Sequence, residues 1–284
     1  MSKDKFDSRA VGLDIGLAFS RWLTGKENLH YGIWEGLDVC AGNVGDAQEA
    51  YTAKLFELLP DGPLRILDIG GGAGETAKKL CALGHHVEIV VPSAFLAERC
   101  RVNAPEAVVH EAMFQDARPT GPFDLCLFSE SFQYIPLPES LPRCVKLLKP
   151  GGHILIADCF RSETFTPDKV HATVGGGHPI AAFRSFLADM PLDIVSEEDV
   201  TADVAPSIDV EQGLFNVVGY GLTRVDQQMA SQRPKLRGFI RWVIRRVLNP
   251  RKRARLDQRL NQQTRTAAHF MANNTYLMMK LKCT

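Results

Sequence analysis

No apolar run in this 284-residue sequence approaches the roughly 20 residues that a helix needs to cross a bilayer. The first residues, Met1-Ser2-Lys3-Asp4-Lys5-Phe6-Asp7, lack the apolar stretch of a secretory signal. None of the seven cysteines (Cys40, Cys81, Cys100, Cys126, Cys144, Cys159, Cys283) forms a C-x-x-C pair. An odd number scattered through apolar surroundings reads as reduced thiols in a reducing compartment. No ligand spacing supports zinc, so no metal is expected. Neither charge is in excess, with 33 Lys plus Arg against 33 Asp plus Glu, so overall charge selects no partner. No internal repeat or low-complexity tract is found. These absences predict a cytoplasmic globular protein, and contact with a membrane surface stays open.

What is present is a βα alternation. Residues 1–60 read as an N-terminal helical cap, with helical spacing at Leu13–Leu23 and Gly45–Leu59. Between these lies an aromatic, glycine-rich loop from His30 to Gly36. Pro60-Asp61-Gly62-Pro63 is a turn. Strands are then predicted at 64–69, 86–91, 107–110, 123–129 and 153–159, and helices at 75–83, 94–103 and 137–148, with a turn at Pro150-Gly151-Gly152. A further helix is expected at 181–189, a sixth strand at 192–196 and a last strand at 275–281. Alternating strands and helices imply right-handed crossovers and a mostly parallel sheet. Continuous apolar strands such as Ile154-Leu155-Ile156-Ala157 fit a sheet covered on both faces. The expected organisation is a Rossmann-like α/β core over 61–232, a basic helical insertion over 233–270 and a final strand of the core over 271–284. The region 161–232 reads as polar and interrupted.

The loop Asp68-Ile69-Gly70-Gly71-Gly72-Ala73-Gly74 joins the first strand to a helix. Such a turn brings backbone N–H groups close to a ligand, although glycines alone also serve a tight turn. Leu67–Ala77 resembles motif I of the class I S-adenosylmethionine-dependent methyltransferases. Phe123-Asp124 resembles the opening of that family's fourth strand. Leu147-Leu148-Lys149-Pro150-Gly151-Gly152 resembles its turn before strand five, and Glu197–Thr201 a segment after strand six. The resemblance covers roughly residues 60–200 and implies a seven-stranded sheet with S-adenosylmethionine as cofactor. It places Gly70, Gly71, Gly72 and Gly74 along the cofactor's methionine and ribose. It places Asp68 at the loop or near the amino group, Asp116 near adenine, and Ser129 facing the methyl-transfer cavity. Asp116 also reads as a solvated loop acid and Ser129 as a strand cap. One position departs from the pattern. The family usually ends strand two with an acid, where this chain has Val91. Ser93, backbone groups or water are left to hold the ribose, and Glu88 lies three residues too early.

Methyl transfer from a sulfonium chiefly demands positioning, so the reaction centre offers candidates only. His30-Tyr31-Gly32 resembles a segment before motif I in methyltransferases of prenyl, tocopherol and fatty-acyl substrates, and puts Tyr31 near the cofactor. Glu130-Ser131-Phe132-Gln133-Tyr134 follows strand four, where open parallel sheets bind ligands. Glu130 is a candidate base, and Gln133 and Tyr134 candidate orienting groups. Gly175-Gly176-Gly177-His178 is a loop that could carry an imidazole to the site. Packing, capping or a surface hinge accounts for each of these residues equally simply.

Residues 233–265 hold twelve Lys or Arg and one acid, Asp257. Apolar and basic residues interleave from Arg237 to Leu248 as in an amphipathic basic helix. It reads as a cap with a solvated face, as a membrane or anionic-substrate surface, or, least favoured, as a nucleic-acid site. The leading expectation is methyl transfer to a small hydrophobic or amphipathic acceptor, such as a lipid, quinone, prenyl or natural product. The alternatives are a methyltransferase-like enzyme of other chemistry, and a non-catalytic scaffold recruited through 233–265.

Overall fold

The computed structural model describes residues 8–166, 174–262 and 265–284. The elements in chain order are α1 (Ser8–Thr24), α2 (Val44–Phe56), β1 (Arg65–Ile69), α3 (Glu75–Ala82), β2 (His86–Val91), α4 (Ala94–Asn103), β3 (Val108–Glu111), β4 (Phe123–Ser129), α5 (Leu137–Leu147) and β5 (Leu148–Arg161). They continue with α6 (Ile180–Ala188), β6 (Leu192–Asp199), α7 (Thr201–Val204), α8 (Pro206–Gln232), α9 (Pro234–Val247), α10 (Pro250–Asp257), α11 (Ala267–Asn273) and β7 (Asn274–Cys283). One seven-stranded sheet has the order β3-β2-β1-β4-β5-β7-β6. Strands β1 to β5 pair in parallel, and β7 runs antiparallel to both neighbours.

Side chains alternate faces along each strand, and the central strands are apolar on both. Ile66, Ile89, Leu125, Leu155 and Tyr276 pack into one core. Leu67, Val90, Cys126, Ile154 and Leu277, their neighbours in sequence, pack into the other. Strand order reverses between β1 and β4, so the carboxyl ends of these two strands open a crevice.

Three elements differ from the sequence reading. The turn expected at Pro150-Gly151-Gly152 is a bulge inside β5. Phe123 pairs with Leu148 and Leu125 with His153, so the intervening residues of β5 are looped out. Gly151 takes φ +72° there. Strand β6 extends to Asp199, because β7 offers it a partner along its whole length. The stretch read as polar and interrupted contains α8, 27 residues long. Its apolar residues Val217, Tyr220 and Val225 are exposed, so they form no buried stripe for a periodicity argument to detect.

Candidate functional site

The glycine loop follows from local backbone demand. Gly70, Gly72 and Gly74 all have positive φ, which a side chain opposes. A Cβ on Gly71 would stand 2.8 Å from the Ile89 side chain and against the carboxylate of Asp68. On Gly74 it would lie 2.9 Å from Cys100 Cα. The chain therefore passes close over β1 and β2 before α3 begins. Gly70, Gly71 and Gly72 line a cavity of about 670 Å³, whereas Gly74 lies behind it as the helix cap. That volume suits a ligand of nucleoside size.

Polar atoms without partners gather on this cavity. Asp68 Oδ2, Asn28 Nδ2 and His30 Nε2 are buried and unbonded, and all three side chains line it. Burial raises Asp68 to a pKa of about 7. It lowers His30 to about 4, so this imidazole is neutral near pH 7. The His30 ring stacks on Tyr51 at 4.4 Å, and its Nδ1 contacts the Tyr31 carbonyl at 2.8 Å. Buried polar atoms are normally paired, so this set fits a ligand with both donors and acceptors. The N-terminal segment is locked over the cavity by Glu27. Its carboxylate accepts two bonds of 2.8 Å from Arg99 and one of 2.7 Å from Asn103 on α4.

The opposite wall is the end of β4. Ser129, Glu130, Ser131 and Tyr134 line the cavity there. Glu130 is the one non-glycine residue with positive φ among the described residues, at 56°. Its N–H donates to the Ala157 carbonyl at 2.9 Å. Its Oε1 accepts from Tyr31 N at 2.7 Å and from the Tyr276 hydroxyl at 3.1 Å. Tyr276 OH lies 2.9 Å from Tyr51 OH, which lies 3.1 Å from Ser129 Oγ. Burial, and secondarily the charge of Asp158, raise Glu130 to a pKa of about 8. A titratable carboxyl on the cavity wall thus ends a chain of hydroxyl groups that runs behind the wall through Tyr276 and Tyr51 to Ser129.

Most of the remaining candidates point elsewhere. Tyr31 contributes its backbone N–H to Glu130, while its ring packs edge-on against Phe270 at 6.0 Å. Gln133 donates its side-chain amide to buried Asp158 at 2.9 Å. His178 Nε2 is held 3.0 Å from the Ile135 carbonyl, with its ring against Phe132. Asp116 is exposed, and the adjacent Met113, Phe114 and Gln115 line the cavity instead. Ser93 lines the cavity while its Oγ caps α4, accepting from Leu96 N at 3.3 Å. Val91 also lines it, so no acid stands at the end of β2. Glu88 is turned into a structural cluster with Arg65, His110 and the Thr120 N–H. Asn28, His30 and Gln115 are cavity residues that strand-and-loop reasoning did not select, because tertiary packing brings them in. Among the described residues no cluster suits a metal ion.

Residues 44–181 match the family model described as a methyltransferase domain. The chain is 30% identical over 154 residues to a ubiquinone biosynthesis O-methyltransferase of Caulobacter sp. (strain K31), covering 46% of this chain and 60% of that protein. It is 30% identical over 151 residues to the tRNA 5-carboxymethoxyuridine methyltransferase of Escherichia coli (strain K12), covering 49% of this chain and 52% of that protein. The chain thus spans between half and three-fifths of these two relatives. The geranyl diphosphate C-methyltransferase of Streptomyces coelicolor A3(2) superposes with a TM-score of 0.64 at 15% identity, over 94% of this chain and 92% of that one. Residues 44–181, just under half of the chain, are similar to a methyltransferase domain, and the chain as a whole shares the fold of a methyltransferase of known structure.

Proposed function

We propose that this protein transfers a methyl group from S-adenosylmethionine to a small hydrophobic or amphipathic acceptor. One observation supports this reading most strongly. Unpaired polar atoms of Asp68, Asn28 and His30 and a strained, half-buried Glu130 face a single cavity at the sheet's reversal point. Asp68, Asn28 and His30, with the Gly70–Gly72 backbone, would hold the cofactor's polar methionine end, and Ser93 and Gln115 its nucleoside. When bound, S-adenosylmethionine supplies a methyl group on a positively charged sulfur.

The chain's own residues then position the acceptor and receive its proton. Glu130, with a pKa of about 8, is poised near neutral pH to take a proton from a hydroxyl, amine or acidic carbon. Tyr31 N and Tyr276 OH fix its Oε1 while the carboxyl changes charge. Tyr134 stands at the cavity wall and, at 59% exposure, is placed to meet an acceptor entering from solvent. Gln133 and His178 act in this reading as supports for the turn after β4. The relatives named for ubiquinone biosynthesis and geranyl diphosphate chemistry motivate an acceptor of lipid, quinone or prenyl character. Such acceptors partition into membranes, which suits a protein that works peripherally at a membrane surface.

Titration calorimetry with S-adenosylmethionine and S-adenosylhomocysteine tests the reading. Saturable one-to-one binding of both is expected. Absence of heat together with an unchanged melting temperature would sink it. Mass spectrometry of an acceptor panel with isotopically labelled cofactor then identifies the methylated atom.

A further inference from the structure

Helix α9 is amphipathic, yet it buries none of its residues. On a helical projection Leu236, Phe239, Ile240, Val243 and Val247 form one apolar stripe. Arg237 and Arg241 flank it on one side, Lys235 and Arg246 on the other, and Arg245 lies opposite. A surface helix of a globular protein turns such a stripe inward. Here the stripe is only partly covered, at Ile240 and Val243, and a basic flank also meets the neighbour. Asp226 of α8 takes Arg237 at 2.7 Å and Arg241 at 3.1 Å. The rest of the stripe is left outside, with Phe239 61% and Val247 74% exposed, and Trp242 beside it is 59% exposed. Phe239 and Trp242 stack on each other at 6.1 Å on the exposed surface. Helix α10 continues the charge with Arg251, Lys252, Arg253 and Arg255 and a single acid, Asp257.

We infer that the α9–α10 arm docks on the surface of a bilayer containing anionic lipid. Charge and shape together select this occupant. Twelve basic residues against one acid across 233–265 attract phosphate-rich surfaces. The apolar stripe between basic flanks matches a headgroup boundary, where side chains reach the acyl region and long cations extend outward. A second copy of this chain docking through its own arm would bring the same positive charge against it. A nucleic acid would pair with the flanks and leave the stripe in water. No helix among the described residues is long and apolar enough to cross a membrane, which agrees with a helix lying flat. The arm's base is tied to the cap beside Glu130. Ser207 of α8 accepts from Gly32 N at 3.1 Å and from Trp34 Nε1 at 2.8 Å, next to the Tyr31 N–H that holds Glu130. The docking does not depend on methyl transfer, and with it the membrane becomes the source from which an amphipathic acceptor is drawn.

Co-sedimentation of the full chain with vesicles is the test. Vesicles of equal parts phosphatidylglycerol and phosphatidylcholine are expected to bind it, progressively less as salt is raised. Phosphatidylcholine alone should bind it weakly. Replacing Arg245, Arg246 and Arg251 by Gln should lower partitioning by about a hundredfold, each cation contributing roughly fivefold. A Phe239→Ser/Trp242→Ser variant should lose binding to the same vesicles while unfolding at the wild-type temperature. Wild-type protein that ignores anionic vesicles, or variants that bind like wild type, overturn the proposal. So does tighter binding to a short RNA duplex, or a dimer seen by ultracentrifugation that the Trp242→Ser change dissolves. Calorimetry with S-adenosylhomocysteine on the same samples separates the two readings. Protein that binds vesicles but not this ligand overturns the methyltransferase reading alone.

Discussion

Glu130 holds a left-handed backbone that its side chain opposes, at a cost of about 1 kcal/mol or more. Its carboxyl titrates high because burial disfavours the charged form. Asp68 and Asp158 share that behaviour, each raised to about 7. Between ordinary carboxyl values and about pH 7–8, the folded chain therefore keeps protons that the unfolded chain has released. Stability is expected to fall as pH rises through that window and to level off above it. Thermal unfolding from pH 5 to 9 should show the decline, and Glu130→Gln should make it shallower. An equal decline in the variant rules out the assignment to Glu130. Activity has the opposite sign, since a base must be deprotonated. It should climb toward pH 8, and Glu130→Gln should lower kcat by roughly a hundredfold. Val91 supplies a second prediction at this scale. Val91→Asp restores a carboxylate at the end of β2, and calorimetry should show S-adenosylhomocysteine binding about tenfold tighter, near 1.4 kcal/mol. Unchanged affinity would mean that the ribose is held elsewhere. Glu130 was legible because the position after a central parallel strand is dictated by topology. Gln133 and His178 share that neighbourhood. Buried partners, Asp158 for one and backbone carbonyls for the other, decide where those two side chains point.

Helices and strands were readable where a buried face imposes a period. The central strands and α3 to α6 fall near their expected bounds for that reason. Helix α8 was not readable, because it packs through a few polar contacts instead of an apolar stripe. Gln212 donates to the Arg259 carbonyl at 2.8 Å, and Gly219 admits the Leu260 carbonyl so closely that a Cβ there would clash. The Ser207 hydroxyl ties α8 to the cap, beside Ile208, which enters the core shared with Ile33. Ser207→Ala leaves the buried Trp34 indole N–H without its acceptor. Urea unfolding should register a loss of about 1–3 kcal/mol. A loss below about 0.5 kcal/mol would show that α8 is held by other contacts.

Across the molecule, the cavity joins two parts that the sequence presents separately. The Rossmann-like core contributes the glycine loop and the end of β4. The N-terminal segment contributes Asn28 and His30 from more than thirty residues upstream of that loop. Only folding brings these together, so the glycine loop announced a ligand without announcing its second wall. The described contacts between the walls include Glu27 with Arg99 and Asn103, and Tyr31 N with Glu130. A ligand that pairs Asp68 on one side with Asn28 and His30 on the other adds bonds that exist only when both walls are in place. S-adenosylhomocysteine at one hundred times its dissociation constant should stabilise the fold by about 2.7 kcal/mol. For a chain of this size that corresponds to about 4–5 °C in melting temperature. Hydrogen exchange should localise part of the gain to residues 26–34 as well as 68–76. Protection confined to 68–76 would leave the N-terminal segment a passive cover. In Arg99→Ala, which removes the resting lock, the ligand should still protect 26–34, because its own bonds to Asn28 and His30 take over the connection.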